Sequence, residues 1–490
     1  MQREMQKIWS EVLNVKPHLI GLHDGFLQLG GNSLDAMRVV TMARQAGMNL
    51  TVTDMFSHAI TSIHQLTRQL MHTENFEVHE SPVQKIDSTY LLEDIARYDA
   101  QIAAARLDVD KDPGVDNHIA RHPTGKLPTV LLTGANGFIG TQILRQLLEH
   151  NQVGRVIAVV RGESTETAKK RLVDAAKKAL WWSAFHDAIL EVWAGDLSMP
   201  HLGLDSIKWD LITKGTVDII IHNGASVHFM KSYEVLRPTN VASTVEMLCV
   251  TASNRGTRFV YVSSARHEDP MEEDEERVAR YLAANSNGYS QTKFVAETLV
   301  RRAASRSAYG PKQFTVVSPG LVIGTLTEGG SNTDDWIWRL TSACIRVGMF
   351  NADNSETWIP ISEVGTTARI IVDTALSSSG SSQSIVQIKG GLTLGEFWKT
   401  LVTMGYELEA RNGSECAAAI RGDIESSKES HPLWALSDIL EDLEETAQNV
   451  WAASWREERA SSIRLQVAIE RSVRYLTQVG FLLPTMGSPL

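Results

Sequence analysis

The chain of 490 residues carries 47 Lys plus Arg against 58 Asp plus Glu, a formal charge of −11, with 43% hydrophobic and 21% charged residues. That length holds about three folding units with full cores, and the composition excludes a collagenous, fibrous or wholly disordered protein. The acidic balance argues against a general nucleic-acid surface, and no apolar run is long enough to span a bilayer, so neither nucleic acid nor membrane is an expected partner.

The three cysteines, Cys249, Cys344 and Cys416, stand far apart without metal-ligand spacing. Neither a disulfide framework nor a metal site is expected, and a reducing compartment fits. Met1 to Ser10 is polar where a secretory signal needs an apolar core, so a cytoplasmic protein is expected.

Residues 1–72 read as a compact helical unit. Ile8, Trp9, Val12, Leu13 and Val15 give an apolar face at helical spacing that Pro17 ends. Leu34, Met37, Val40 and Met42 mark a second helix entered through Gly30 and Gly31, and Ile60, Ile63, Leu66 and Leu70 mark a last one. Ser33 stands at the start of the second helix, where an attached phosphate diester is tolerated by the helix N-terminus. A plain N-cap is the simpler role for such a serine.

Residues 73–127 are read as a linker with a helix. Thr73 to Thr89 is polar, 90–107 has a helical pattern, and the stretch to Pro128 is rich in Asp, Gly and Pro. A flexible tether of about 17 residues would have an end-to-end distance of roughly 20 Å, which lets the first unit swing.

Residues 128–327 alternate strand and helix. Val130–Thr133, Val156–Val160, Ile189–Ala194, Val217–His222, Phe259–Ser263 and Phe314–Val317 are short β-branched or apolar runs with helical segments between them. That rhythm predicts an α/β fold, a doubly wound Rossmann parallel sheet. Residues 328–490, rich in Trp and acidic groups, are expected to form a mostly helical substrate-side subdomain. Trp336, Trp338 and Trp358 either wall an acyl pocket there or, more simply, pack its core.

The first strand runs into Gly134-Ala135-Asn136-Gly137-Phe138-Ile139-Gly140 and then a helix. Gly134 permits the sharp turn, Gly137 lets a pyrophosphate approach the backbone, and Gly140 allows close helix packing, with Asn136, Phe138 and Ile139 completing the loop. The second strand ends at Arg161, where an NAD-preferring site carries an acidic residue; with Arg171 on the next helix it suits a 2′-phosphate, so NADPH is expected. Asp196 and Leu197, after the third strand, stand where an adenine edge is held.

Tyr289 and Lys293 are four residues apart before an apolar helix, so phenol and ammonium share a face. The ammonium is expected to lower the phenol's pKa and to hold the nicotinamide ribose, making Tyr289 a proton donor. Ser264, preferred over Ser263, ends the fifth strand and is placed to hydrogen-bond the oxygen on which charge builds.

The glycine turn, Asp196, strand-end serine, Tyr/Lys pair and Ser318-Pro319-Gly320-Leu321-Val322-Ile323-Gly324 follow the order found in extended short-chain dehydrogenase/reductases, which this region resembles. The resemblance implies that Pro319, Gly320 and the backbone at Val322 line the nicotinamide. Leu29-Gly30-Gly31-Asn32-Ser33-Leu34 resembles the attachment motif of thiolation domains in non-ribosomal peptide synthetases, which implies 4′-phosphopantetheine on Ser33. Asn32 stands where many carriers have Asp or His.

Carrier plus reductase is similar to the C-terminal didomain of a non-ribosomal peptide synthetase or hybrid polyketide synthase. The resemblance implies reduction of a carrier-bound acyl or aminoacyl thioester to an aldehyde, with an alcohol as a further product. Its implied partners are a phosphopantetheinyl transferase and upstream adenylation or synthase domains. No activating domain precedes the carrier here, so the chain is expected to be an excised didomain or one loaded in trans. Three other readings stand beside this one: a cyclising release domain of the Dieckmann type, which Tyr289 and Lys293 disfavour, a sugar-nucleotide epimerase or dehydratase, which has no use for a swinging arm, and a non-catalytic carrier scaffold with a degenerate reductase.

Overall fold

The computed structural model describes residues 1–13, 15–26, 29, 36, 38–40, 42–43, 46, 48, 50, 55, 62–73, 88–110, 127–228, 231–254, 256–264, 276–279, 281, 287–307, 313–377, 385–427, 431–434 and 460–485. Ser33 with its turn, Met37 and Ile60 lie outside the described residues.

The N-terminal unit is built as its apolar spacing dictates. The helix Gln2–Leu13 turns Met5, Ile8, Trp9 and Val12 inward, and Ile63 and Leu66 of the helix Ile63–Thr73 join them with Phe26, Val39, Val40 and Leu50 in one core. Trp9 meets Phe26 edge to face with ring centroids 4.8 Å apart. Each such fully buried side chain contributes about 1.5–3 kcal/mol, which sustains a small independent core.

The central unit is a seven-stranded sheet. Its first six strands are β1 (Thr129–Thr133), β2 (Arg155–Arg161), β3 (Leu190–Gly195), β4 (Ile219–His222), β5 (Arg258–Val262) and β6 (Phe314–Ser318). After these come β7 (Leu321–Ile323), β8 (Met349–Asn351), β9 (Trp358–Ile359), β10 (Ile361–Glu363), β11 (Ile385–Gln387), β12 (Leu392–Thr393) and β13 (Glu409–Arg411). The sheet order is β11-β6-β5-β4-β1-β2-β3, and every pairing within it is parallel, with Leu131 opposite Ile157 on one side and Ile220 on the other.

Alternation of side chains along β1 divides the core in two, because successive residues point to opposite faces. Leu131 faces the helices Ser88–Asp110, Ser243–Ser253 and Gly288–Arg306, while Val130 and Leu132 face Phe138–Glu149, Thr165–Lys178 and Val364–Leu376. Helices therefore cover both faces.

Two stretches cross the boundaries expected from sequence. The helix Ser88–Asp110, expected inside the linker, buries Leu91, Ile95 and Ile102 in the core of the sheet domain. Asp94 accepts from the Tyr233 hydroxyl at 2.8 Å, and Asp99 pairs with Arg302 at 3.2 Å and with Arg306. On the other side of the 327/328 boundary, Ala368, Ile371, Val372 and Ala375 pack on the sheet and β11 adds its seventh strand. The chain thus returns to the sheet after leaving it.

The remaining C-terminal residues form a third core around Trp338, Phe397, Trp398, Leu401 and Ile469. Trp338 is fully buried there, 6.0 Å from the Phe397 ring centroid, and so packs the core. The helices Trp336–Val347, Leu394–Thr403, Gly413–Ser427 and Ala460–Gln478 are joined by the short pairs β7 with β10, β8 with β13 and β9 with β12. Among the described residues no helix is long and apolar enough to cross a membrane.

Candidate active site

Parallel pairing brings the C-terminal ends of β1, β4, β5 and β6 to one edge of the sheet, side by side. The glycine turn after β1, Gly224 to Ser226 after β4, Ser264 after β5 and Pro319-Gly320 after β6 therefore share that edge. Arg161 at the end of β2 and Asp196-Leu197 after β3 extend it outward.

The turn after β1 is shaped by what cannot be there. Gly134 has φ +69°, and a Cβ on it would lie 2.6 Å from the Gly224 Cα. A Cβ on Gly140 would overlap the Gly134 carbonyl oxygen and stand 2.9 Å from Asn223 Nδ2. Gly137 N–H donates to Gly134 O at 3.0 Å, and Gly137 is the N-cap of the helix Phe138–Glu149. The outcome is a helix N-terminus, Asn136 to Ile139, whose backbone is open at the exposed Gly137, where no side chain intervenes, and which favours an anion. These residues fit the pyrophosphate of a dinucleotide. Asp196 accepts from Ser198 N–H at 2.9 Å, and the half-buried Leu197 leans against Gly224.

A cationic cluster flanks this cradle. Burial first and Arg161 second hold the Arg171 pKa below its ordinary value, and the same two causes lower that of Lys231. Burial and then Lys231 bring His228 down to about 3, so that imidazole is neutral. Arg171 and Lys231 thus each feel the charge of Arg161, a repulsion that a bound dianion relieves. Lys231 and His228 have no sequence signal of their own. Lys231 comes near Arg161, and His228 near Lys231, because β4, β1 and β2 are successive neighbours in the sheet.

At the reacting end, Tyr289 and Lys293 occupy successive turns of the helix Gly288–Arg306, capped by Asn287, whose side chain accepts from Ser290 N–H at 2.8 Å. Lys293 is 4% exposed; its Nζ donates to Val262 O at 2.6 Å and lies 4.1 Å from the Tyr261 ring centroid. This seats the helix against the end of β5, two residues before the half-buried Ser264. Ser263 is turned the other way, its hydroxyl donating to the buried Glu297.

Two supporting residues escaped the sequence reading. Asn240 accepts from Ser226 N–H at 2.7 Å and donates to Ser226 O at 3.1 Å and Thr292 Oγ1 at 3.0 Å, tying the loop after β4 to the Tyr289 helix. His222 ends β4, hydrogen-bonded through Nδ1 to Thr133 Oγ1 at 2.9 Å and through Nε2 to Ser243 Oγ at 3.3 Å. Burial, then the Lys293 charge, lowers its pKa to about 3. It stays neutral. On the far side, Pro319 is buried, Gly320 abuts Pro360, and Val322 in β7 pairs with Ser362 of β10, which joins the sheet to the third core.

Comparison with known proteins agrees with this layout. Residues 132–371 match the family described as male sterility protein, NAD-binding, and residues 3–70 match the phosphopantetheine attachment site family. Peramine synthetase ppzA of Metarhizium rileyi is 55% identical over 482 residues, covering 98% of this chain and 17% of that protein. The chain therefore spans 17% of the length of that curated relative. The reductase domain of PhqB from Penicillium fellutanum is 27% identical, with a TM-score of 0.65 over 79% of this chain and 99% of that one. An archaeal thiolation-reductase di-domain of a non-ribosomal peptide synthetase is 18% identical, and its TM-score of 0.58 over 98% of both chains is a likeness of fold. The chain is a carrier followed by a reductase domain of the non-ribosomal peptide synthetase family, an oxidoreductase that uses a nicotinamide dinucleotide and bears a phosphopantetheine attachment site.

Proposed function

We propose that this chain releases an acyl or aminoacyl group from phosphopantetheine on Ser33 by NADPH-dependent reduction, with the aldehyde as first product. The observation that carries the reading is the seating of Tyr289 and Lys293 on one helix face against the end of β5, next to Ser264 and the anion cradle. Upstream adenylation or synthase domains would load the arm, after a phosphopantetheinyl transferase has primed it.

Bound NADPH supplies the hydride that adds to the thioester carbon. The chain's own residues manage the oxygen. Ser264 hydrogen-bonds the oxygen as negative charge builds on it, and Tyr289 delivers the proton. Lys293, held at Val262 O, places a fixed positive charge one helical turn from the phenol and supports the phenolate left after proton transfer. The hydroxyl proton then returns to the Tyr289 phenolate as the bond from carbon to sulfur breaks, the departing sulfur takes up a proton, the thiol stays on the arm, and the aldehyde leaves. Arg161, Arg171 and Lys231 supply the charge that selects the 2′-phosphate form of the coenzyme.

The test is a primed and acylated chain given NADPH, with absorbance at the nicotinamide band and mass spectrometry of the product. One coenzyme consumed per aldehyde supports the reading, and two per alcohol extend it to a second round. Product released with no coenzyme consumed replaces it with cyclisation. Tyr289→Phe should lower kcat by about 10²-fold or more, and Ser33→Ala should prevent the mass gain on priming while free thioesters remain substrates.

A further inference from the structure

Glu297 has no part in the chemistry described so far, yet it stands one turn beyond Lys293 and two beyond Tyr289 on the same helix face. It is 1% exposed. A carboxylate so deeply buried is costly unless partnered. Its Oε2 accepts from the Ser263 hydroxyl, and Arg301, one further turn along, lies 4.0 Å from Oε1.

The consequence lies in the strand. Val262 and Ser263 are consecutive, and the helix grips both: Lys293 takes the Val262 carbonyl oxygen at 2.6 Å, and Glu297 takes the Ser263 side chain. From the opposite side, Ser263 N–H donates to Val317 O at 2.8 Å, so the residue before Ser264 is held by β6 as well. With its hydroxyl committed to Glu297 and only 6% of its surface exposed, Ser263 is removed from competition for the substrate oxygen. Ser264 is left as the hydroxyl at the edge.

We infer that Glu297 is a positioning residue that, through its hydrogen bond to Ser263, fixes the end of β5 so that Ser264 faces the substrate oxygen alongside Tyr289. This rests on the reductase reading above. Its effect belongs in the chemical step, since neither Glu297 nor Ser263 lies in the coenzyme cradle.

The experiment is steady-state reduction of a small free thioester by the full chain, with NADPH binding measured separately, for Glu297→Ala, Glu297→Gln, Ser263→Ala, Ser264→Ala and the Glu297→Ala/Ser263→Ala pair. Glu297→Ala and Ser263→Ala should each lower kcat by about 10- to 100-fold, the cost of a displacement near 1 Å, with the NADPH Kd within about twofold of wild type. The double variant should be no worse than the poorer single, because both remove one bond. Glu297→Gln, whose amide oxygen still accepts from Ser263, should recover kcat to within about threefold.

An additive double variant, a Glu297→Gln as poor as Glu297→Ala, or wild-type kcat in Ser263→Ala overturns the inference. If Glu297→Ala does not fold, Ser263→Ala and Glu297→Gln decide alone. Ser264→Ala and the wild type separate the two levels: full loss in Ser264→Ala with a silent Ser263→Ala sinks only the positioning role, an active Ser264→Ala sinks the place of Ser264 at the substrate oxygen and the positioning role with it, and a wild-type chain that consumes no NADPH sinks the reductase reading itself.

Discussion

Arg161→Ala probes the coenzyme site most directly. Arg161 is exposed at the end of β2, and its charge, second to burial, lowers the pKa of both Arg171 and Lys231. A charge-assisted hydrogen bond contributes about 1.5–3 kcal/mol, so losing one to a 2′-phosphate raises the NADPH Kd by about 10- to 150-fold. Relief of repulsion works the other way, because Arg171 and Lys231 then approach the phosphate at less cost; the loss should fall at the lower end, about 10- to 30-fold. NADH has no 2′-phosphate, and its Kd should change less than about twofold. The pH dependence has a definite sign. Lys231, with its lowered pKa, sheds its proton before an ordinary lysine does, so NADPH affinity declines on an alkaline limb. Removing Arg161 raises that pKa and moves the limb to higher pH. Calorimetric titration with both coenzymes at low ionic strength, repeated from neutral to alkaline pH, reads each effect. Equal losses for NADH and NADPH, or a limb that moves to lower pH, would refute the 2′-phosphate role.

Gly140→Ala forces a Cβ against the Gly134 carbonyl, an overpacking that costs about 1–3 kcal/mol and should weaken both coenzymes alike; unchanged Tm and Kd would contradict the close helix packing. Asp94→Ala strips the partner from the buried Tyr233 hydroxyl and from Arg237, and should lower stability by about 2–4 kcal/mol in urea titration, discounted for the part-exposed arginines. A change too small to measure would mean the helix Ser88–Asp110 merely rests on the sheet domain. Burial pushes the Asp335 carboxyl up to about 7. Its proton therefore favours the folded state, by an amount present below about pH 4 and lost as pH rises through 7. Asp335→Asn keeps an acceptor for Ile337 N–H without the charge, so the wild type should lose on the order of 1–3 kcal/mol relative to the variant between pH 4 and 8; a constant gap would falsify the raised pKa.

What could be read in advance was what local chemistry fixes. The Gly134 to Gly140 turn, the four-residue step from Tyr289 to Lys293 and the first six strands are short-range patterns, and each lies where its pattern places it. Ser264 is preferred over Ser263 from its place after the fifth strand alone, and the bond that occupies the Ser263 hydroxyl could not be read from spacing, since its partner Glu297 is 34 residues away in sequence. Lys231, His228, Asn240 and His222 carry no motif and reach the site only through the order of strands. β11 was missed because three residues after a Ser/Gly-rich stretch give no period to count. Helix Ser88–Asp110 was read as a helix but assigned to a linker, because its partners Tyr233, Arg302 and Arg306 lie more than 130 residues on.

That last placement moves the start of the sheet domain back to Ser88. The carrier's last helix ends at Thr73 and the sheet domain's first begins at Ser88, so the tether is residues 74–87. Whatever path these take, 14 residues reach at most roughly 50 Å. The fixed end is not a neutral hinge. Ser88–Asp110 packs beside Gly288–Arg306, the helix that carries Tyr289 and Lys293, and Asp99 joins the two through Arg302 and Arg306. Asp94 in turn holds Tyr233, five residues before the turn at Pro238–Ala242, where Asn240 links Ser226 to Thr292 on that same helix. The chain coming from the carrier therefore enters the sheet domain on the helical layer that holds Gly288–Arg306, the helix of Tyr289 and Lys293.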